Sequence, residues 1–219
     1  VPSERHRARG EIVDVDARAT RVETGRDANA REELARRVSE KFSGELNILV
    51  SNVGFNIRKP TVEFTSEDYQ RLMRTNLEAS FELCKRFHAM LKASGDGRIV
   101  FNSSVAGLVS IQSGALYAIS KGAMNQLTKS LACEWAKDNI RVNAVAPWYT
   151  NTPLAKQVLK NQVYLKAVVD RTPMGRVGEP HEVGAVVATD GLAHHQVLVA
   201  EVVVLEAVAR HRLLVRPRP

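Results

Sequence analysis

The sequence predicts an α/β fold, a doubly wound parallel sheet with helices on both faces. Short apolar runs with the character of strands alternate with stretches of helical periodicity, and every run ends in small or polar residues. In order, Ala28–Phe42 carries Leu34, Val38 and Phe42 at four-residue spacing, with Asp27 or Asn29 available as a cap. Leu46–Val50 is a strand ending at Ser51-Asn52-Val53-Gly54. A helix over Ser66–Leu91 opens with Ser66, Glu67 and Asp68. Ile99–Phe101 is the next strand, ending at Asn102-Ser103-Ser104, and Lys121–Lys137 the next helix. Ile140–Pro147 places β-branched residues at alternate positions and closes the series. Ligands in such folds sit outside the carboxyl ends of the strands, where small residues let the backbone approach them.

The 219 residues, 44% hydrophobic, fit one domain with a proper core. No apolar stretch approaches the length of a membrane span, and the charged first thirty residues do not read as a signal peptide, so the expectation is a soluble cytoplasmic protein without membrane partners. The net charge of +7 is concentrated: Arg210, Arg212, Arg216 and Arg218 lie in the final ten residues, punctuated by proline and without aromatics, which argues against nucleic-acid binding. Lysines fall only between Lys41 and Lys166, so the ends differ in composition from the middle. Cys84 and Cys133 have no C-x-x-C partner, and both are expected to be buried small hydrophobes rather than a disulfide or metal site.

The chemistry concentrates in Ser104 and Tyr117-Ala118-Ile119-Ser120-Lys121. Tyrosine and lysine four apart share a helix face. A phenol titrates near 10 when unperturbed, and an ammonium about 4 Å away favours phenolate by about 4 kcal/mol at an effective dielectric near 20. Lys121 is thus expected to bring Tyr117 toward neutrality, where acid–base catalysis is most efficient. Ser104 donates to the same substrate oxygen that Tyr117 protonates, and Asn76, mid-helix, adds a polar group through water. A carbonyl held this way is set to receive hydride from a carrier.

Residues 28–189 resemble the short-chain dehydrogenase/reductase family, in detail its tropinone-reductase-like branch from plants. The resemblance rests on L-N-I-L-V-S-N-V-G at 46–54, N-I-R-K-P-T-V-E-F-T at 56–65 and I-V-F-N-S-S-V-A-G at 99–107. It continues through Y-A-I-S-K-G-A-M-N-Q-L-T-K at 117–129, L-A-C-E-W-A-K-D-N-I-R-V-N-A-V-A-P-W-Y at 131–149 and R-T-P-M-G-R-V-G-E-P-H-E-V at 171–183. It implies a Rossmann-type sheet. It also implies Tyr117 as acid/base, Lys121 as its tuner and a ligand of the nicotinamide ribose, Ser104 as substrate anchor and Asn76 as a relay residue. Asn52 and Gly54 match the family's N-N-A-G on the adenosine side of the cofactor, with Ser51 and Val53 departing from it. Pro147-Trp148 replaces the usual Pro-Gly, as in this branch, and places Trp148 beside substrate; Thr152 matches the residue that bonds the carboxamide. Residues 154–171 correspond to the substrate lid, expected as an amphipathic helix over an apolar pocket with its lysines solvated. The implied activity is NADP(H)-dependent reduction of a small lipophilic ketone or oxidation of the corresponding secondary alcohol, with NAD(H) also open, by a homodimer or homotetramer.

Two departures qualify this expectation. The fingerprint G-x-x-x-G-x-G is absent, since the only glycines before Ser51 are Gly10, Gly25 and Gly44, so the sheet is expected to be incomplete, lacking its first strand–helix–strand unit and its phosphate cradle. Residues 1–27 read as a non-family segment and 190–219 as a divergent one, the latter holding His194-His195 and the β-rich run Val197–Leu205. The alternative reading is a non-catalytic homologue that keeps the site residues, holds no dinucleotide and at most pairs with intact relatives.

Overall fold

Gly97–Asn102 is the strand that organises the sheet, hydrogen-bonded on both sides and buried along nearly its whole length. In the computed structural model, which describes residues 28–192 and 202–203, four parallel strands run in the order β1 (Ile48–Ser51), β2 (Gly97–Asn102), β3 (Ile140–Val145) and β4 (Val202–Val203). The register pairs Ile48 with Arg98, Gly97 with Ile140, and Ala144 with Val202. Parallel strands need crossovers, and the helices supply them. These are α1 (Ala28–Lys41), α2 (Ser66–Met73), α3 (Ala79–Ala93), α4 (Ala115–Trp135), α5 (Pro153–Leu159), α6 (Gln162–Asp170) and α7 (Pro180–Leu192).

One face of the sheet presents Ile99 and Phe101 beside Val142 and Ala144, which are in register. Ala35 and Val38 of α1, Cys84, Phe87 and Leu91 of α3, and Met124, Leu131 and Trp135 of α4 close over them. The opposite face buries Val100 and Val145, and α7 contacts both β2 and β3. Burial on both faces explains why these strands read as continuous apolar runs.

Local chemistry shifts several expected boundaries. The cap of α2 is Thr65, one residue before Ser66: its hydroxyl accepts from Asp68 N at 3.1 Å while Asp68 Oδ2 accepts from Thr65 N at 3.0 Å. The helix expected over 66–91 is interrupted by a π-helical turn, Arg74–Glu78, with Asn76 in its middle. Helix α4 starts at Ala115, ahead of the expected Lys121, directly after Gly114 at φ 93°. Only glycine suits that position, because a Cβ would also stand 2.9 Å from the Ile57 carbonyl oxygen.

The segment 154–171, expected as one amphipathic helix, is two short helices, α5 and α6, because Asn161 caps the second by accepting from Tyr164 N at 3.1 Å. Ala155, Leu159 and Val168 make their small core against Trp148, Tyr149 and Leu165, while Lys156, Lys160 and Lys166 face solvent. Cys84 is buried, but Cys133 is exposed on α4 between the core residues Leu131 and Trp135, so only one of the two cysteines is a core residue. Residues Val202 and Val203 of the apolar run 197–205 form β4. The segment 1–27, the His194-His195 pair, the remainder of that run and the arginine tail lie outside the described residues.

Candidate active site

The turns that follow β1, β2 and β3 converge at the carboxyl edge of the sheet on a cavity of about 740 Å³. Two backbone links hold the second and third turns together: Ser103 N donates to Val145 O at 2.8 Å and Val105 N to Pro147 O at 3.2 Å. The turn Val105–Gly107 then lies directly on helix α4. A Cβ at Gly107 would stand 2.5 Å from the carbonyl carbon of Lys121 and 2.7 Å from Gly122 N, so only the bare glycine permits the approach. Asn125 Nδ2 fastens it by donating to Gly107 O at 3.2 Å, and the Ser103 hydroxyl bonds Asn125 in turn.

This approach brings Ser104 to Tyr117. Both line the cavity, the serine hydroxyl acts to lower the proton affinity of the Tyr117 phenol, and its oxygen accepts from Ala106 N at 3.2 Å. Lys121 lies one turn along, 96% buried, with Nζ 5.8 Å from the Tyr117 ring centroid. Ser104, Tyr117, Lys121, Asn52, Gly54, Pro147, Trp148 and Thr152 all line the one cavity, whereas Asn76 stands behind it.

The electrostatics correct one expectation. Tyr117 is not drawn toward neutrality: burial raises its pKa above the ordinary phenol value, against weaker opposing effects of the Ser104 hydroxyl and the Arg58 charge. Lys121 does not offset this, because its ammonium donates to Asn102 O at 2.6 Å, and burial lowers its own pKa to about 8.

Asn76 also differs from the expected water-linked group. It is fully buried, with Nδ2 donating to Phe55 O at 2.9 Å and to Ser120 Oγ at 3.2 Å, and Oδ1 accepting from Phe55 N at 3.0 Å. Its carboxamide is committed to holding the turn after β1. Thr152 Oγ1 accepts from Ala155 N at 3.3 Å and caps α5, and Trp148 Nε1 donates to Thr172 Oγ1 at 3.1 Å.

The β1 end of the cavity suits a polyhydroxyl ligand. Asn102 Nδ2 donates to Asn52 Oδ1 at 2.6 Å, leaving Asn102 Oδ1 a buried acceptor without a partner. A Cβ at Gly54 would fill the space 3.4 Å from Asn76 Oδ1 and 3.6 Å from Lys121 Nζ.

Sequence reasoning did not single out Arg58, Asn102, Ser113 or Tyr149, all in the cavity wall. Arg58, Asn102 and Tyr149 stand within the quoted motifs, in the segments at or following strand ends, and that position is the signal that marks them. Ser113 has no comparable signal. The Tyr149 and Tyr164 hydroxyls bond each other, and their rings meet edge-on at 5.9 Å. Among the described residues no group of three His, Cys, Asp or Glu is placed to hold a metal, and no helix is long and apolar enough to cross a membrane.

A family model described as enoyl-(acyl carrier protein) reductase matches residues 6–193, a range that also takes in residues 6–27. A tropinone reductase homolog of Arabidopsis thaliana is 59% identical over 72% of this chain and 60% of its own length. One from Datura stramonium is 52% identical, also over 72% of this chain and 60% of its own. The chain therefore spans about three fifths of the length of these curated relatives. Among solved structures, the Pseudomonas aeruginosa RhlG/NADP active-site complex superposes with a TM-score of 0.75 at 25% identity, over 85% of this chain and 74% of that one.

Proposed function

Because this chain belongs to the short-chain dehydrogenase/reductase family, in its tropinone-reductase-like branch, we propose that it is an NADP(H)-dependent oxidoreductase interconverting a ketone and a secondary alcohol of a small metabolite. The observation that carries this reading is that Ser104, Tyr117 and the buried Lys121 line one cavity at the carboxyl edge of the sheet.

Lys121, Asn52, Gly54, Pro147 and Thr152 would hold the dinucleotide, and the unpartnered Asn102 Oδ1 fits a ribose hydroxyl. When bound, the reduced nicotinamide supplies the hydride. Ser104 and Tyr117 both donate to the substrate oxygen, fixing the carbonyl and stabilising the charge that develops on it. Burial keeps the Tyr117 phenol protonated at neutral pH, so in the reductive direction it enters as the acid and delivers its proton to that oxygen. Asn76 acts through position: it holds Phe55 and hence the turn carrying Gly54. Trp148 and the lid helices α5 and α6 screen the reacting carbon from water. NADP is supported by the solved relative bound to it. The expected cytoplasmic homo-oligomer belongs to this reading too, with Phe81 and Ile119 as exposed apolar side chains on the two helices that would pair.

The second reading, a non-catalytic homologue, is favoured by one observation, the departure of Ser51 and Val53 from the family's N-N-A-G on the cofactor side. Titration with NADPH, read by Trp148 fluorescence, separates the two: saturation below about 1 mM supports the enzyme, and no change up to that concentration overturns it. In a panel of small cyclic and aryl ketones, Tyr117→Phe is expected to lower NADPH-dependent reduction by about a thousandfold while cofactor affinity stays within about twofold. An unaltered rate would overturn the role given to Tyr117.

A further inference from the structure

Among the described residues, the cavity wall contains two charged side chains, Arg58 and Lys121, and no carboxylate. Lys121 is committed to the Asn102 carbonyl at the cofactor end. Arg58, on the turn after β1, is not balanced in this way. Its Nε is buried without a hydrogen-bond partner, while the neighbouring Lys59 takes the ion pair with Asp68. A second donor in the same wall is also unsatisfied: Ser113 is 4% exposed and its Oγ has no partner.

These two groups belong to adjoining segments. Asn56 Nδ2 donates to Ser113 O at 2.7 Å, and Gly114 packs against the carbonyl oxygen of Ile57, so the chain at 56–58 runs beside the chain at 113–114. Tyr117 follows one turn into the helix that starts there. Tyr149 completes the surroundings, and the Arg58 charge acts on the phenols of both Tyr117 and Tyr149. Buried donors without acceptors are costly, and a guanidinium satisfies a carboxylate with paired, charge-assisted hydrogen bonds.

We propose that Arg58 and Ser113 form an anion subsite beside Tyr117, and that the substrate is a ketone, or the matching secondary alcohol, bearing a carboxylate. The subsite rests on the oxidoreductase reading for the identity of the reacting group, but not for the binding of the anion. It replaces the purely lipophilic substrate that the resemblance implies with an oxo acid whose apolar remainder meets Ile111, Trp148 and Leu154. The same charge disfavours a ketone carrying an ammonium group.

The test uses the full chain and two probe pairs, 2-oxo-4-phenylbutanoate and 4-oxopentanoate, each against its methyl ester, with binding measured by calorimetry. At least one acid is expected to bind about tenfold or more tightly than its ester. Arg58→Gln removes that preference, Arg58→Lys retains part of it, and Ser113→Ala weakens it, all with NADPH affinity within about twofold of the parent. Acid and ester binding alike in both pairs, or an acid preference that survives Arg58→Gln, overturns the subsite. An acid preference with no NADPH binding upholds the subsite and overturns the oxidoreductase reading instead.

Discussion

Lys121 Nζ donates to the carbonyl oxygen of Asn102 at 2.6 Å, tying the middle of helix α4 to the end of strand β2. The bond gives the ammonium one fixed partner in an otherwise desolvated place, and the cost of that burial appears as a pKa lowered to about 8.

A pH dependence of stability follows. The unfolded chain keeps the Lys121 proton up to about the ordinary 10.5, whereas the folded protein releases it near 8. Between those values the unfolded state binds more protons, so this group makes stability rise with pH, by roughly 3 kcal/mol over the window. Urea unfolding of the parent and of Lys121→Met at pH 7.5 to 10.5, in steps of about half a unit, checks it. The difference between the two proteins should shift in favour of the parent as pH rises. Parallel curves would show that Lys121 is not desolvated.

Asn76 is expected to matter to stability as well as to chemistry. Asn76→Ala removes both side-chain partners of the Phe55 main chain and a partner of Ser120 Oγ. A loss of about 3 kcal/mol in urea unfolding is expected from the unmet buried groups and the lost volume. A change below about 0.5 kcal/mol would mean that the turn after β1 holds its shape unaided.

Gly107 admits no side chain. Gly107→Ala sets a methyl against the main chain of Lys121 and Gly122 at 2.5 to 2.8 Å, and backbone atoms cannot move aside as a flexible side chain can. The turn should lift from α4, with a loss of about 2 kcal/mol or more and separation of Ser104 from Tyr117. Thermal unfolding measures the first effect and ketone reduction the second. A variant equal to the parent in both would contradict the close approach.

The two cysteines should separate cleanly in a thiol-labelling experiment. Cys133 is exposed, whereas the Cys84 thiol is buried and pushed up to about 12. With Ellman's reagent at pH 8, one thiol should react at once and the second only on unfolding, with Cys133→Ser abolishing the fast phase. Fast reaction of two thiols in the native protein would contradict the burial of Cys84.

Much of the framework was legible in the chain because it depends on near neighbours. Strand runs appear as apolar clusters because β2 and β3 are covered on both faces, and α1 appears because Leu34, Val38 and Phe42 recur once per turn. Tyr117 and Lys121 share a helix for the same local reason. The π turn at Asn76 was not legible, since its amide answers to Phe55 and Ser120, residues 21 and 44 positions away. The start of α4 was missed because Gly114 acquires its positive φ against Ile57, which is distant in sequence.

The chain's own pattern determined an α/β sheet and the placing of Tyr117 and Lys121 on one helix, because helical and strand periods are local properties of a polymer. Tertiary structure alone decided that burial raises the proton affinity of the Tyr117 phenol, that Lys121 turns to Asn102, and that Arg58 and Ser113 share a wall. Proton affinity and unmet hydrogen bonds depend on what water is excluded from. Only the folding of distant segments against one another settles that.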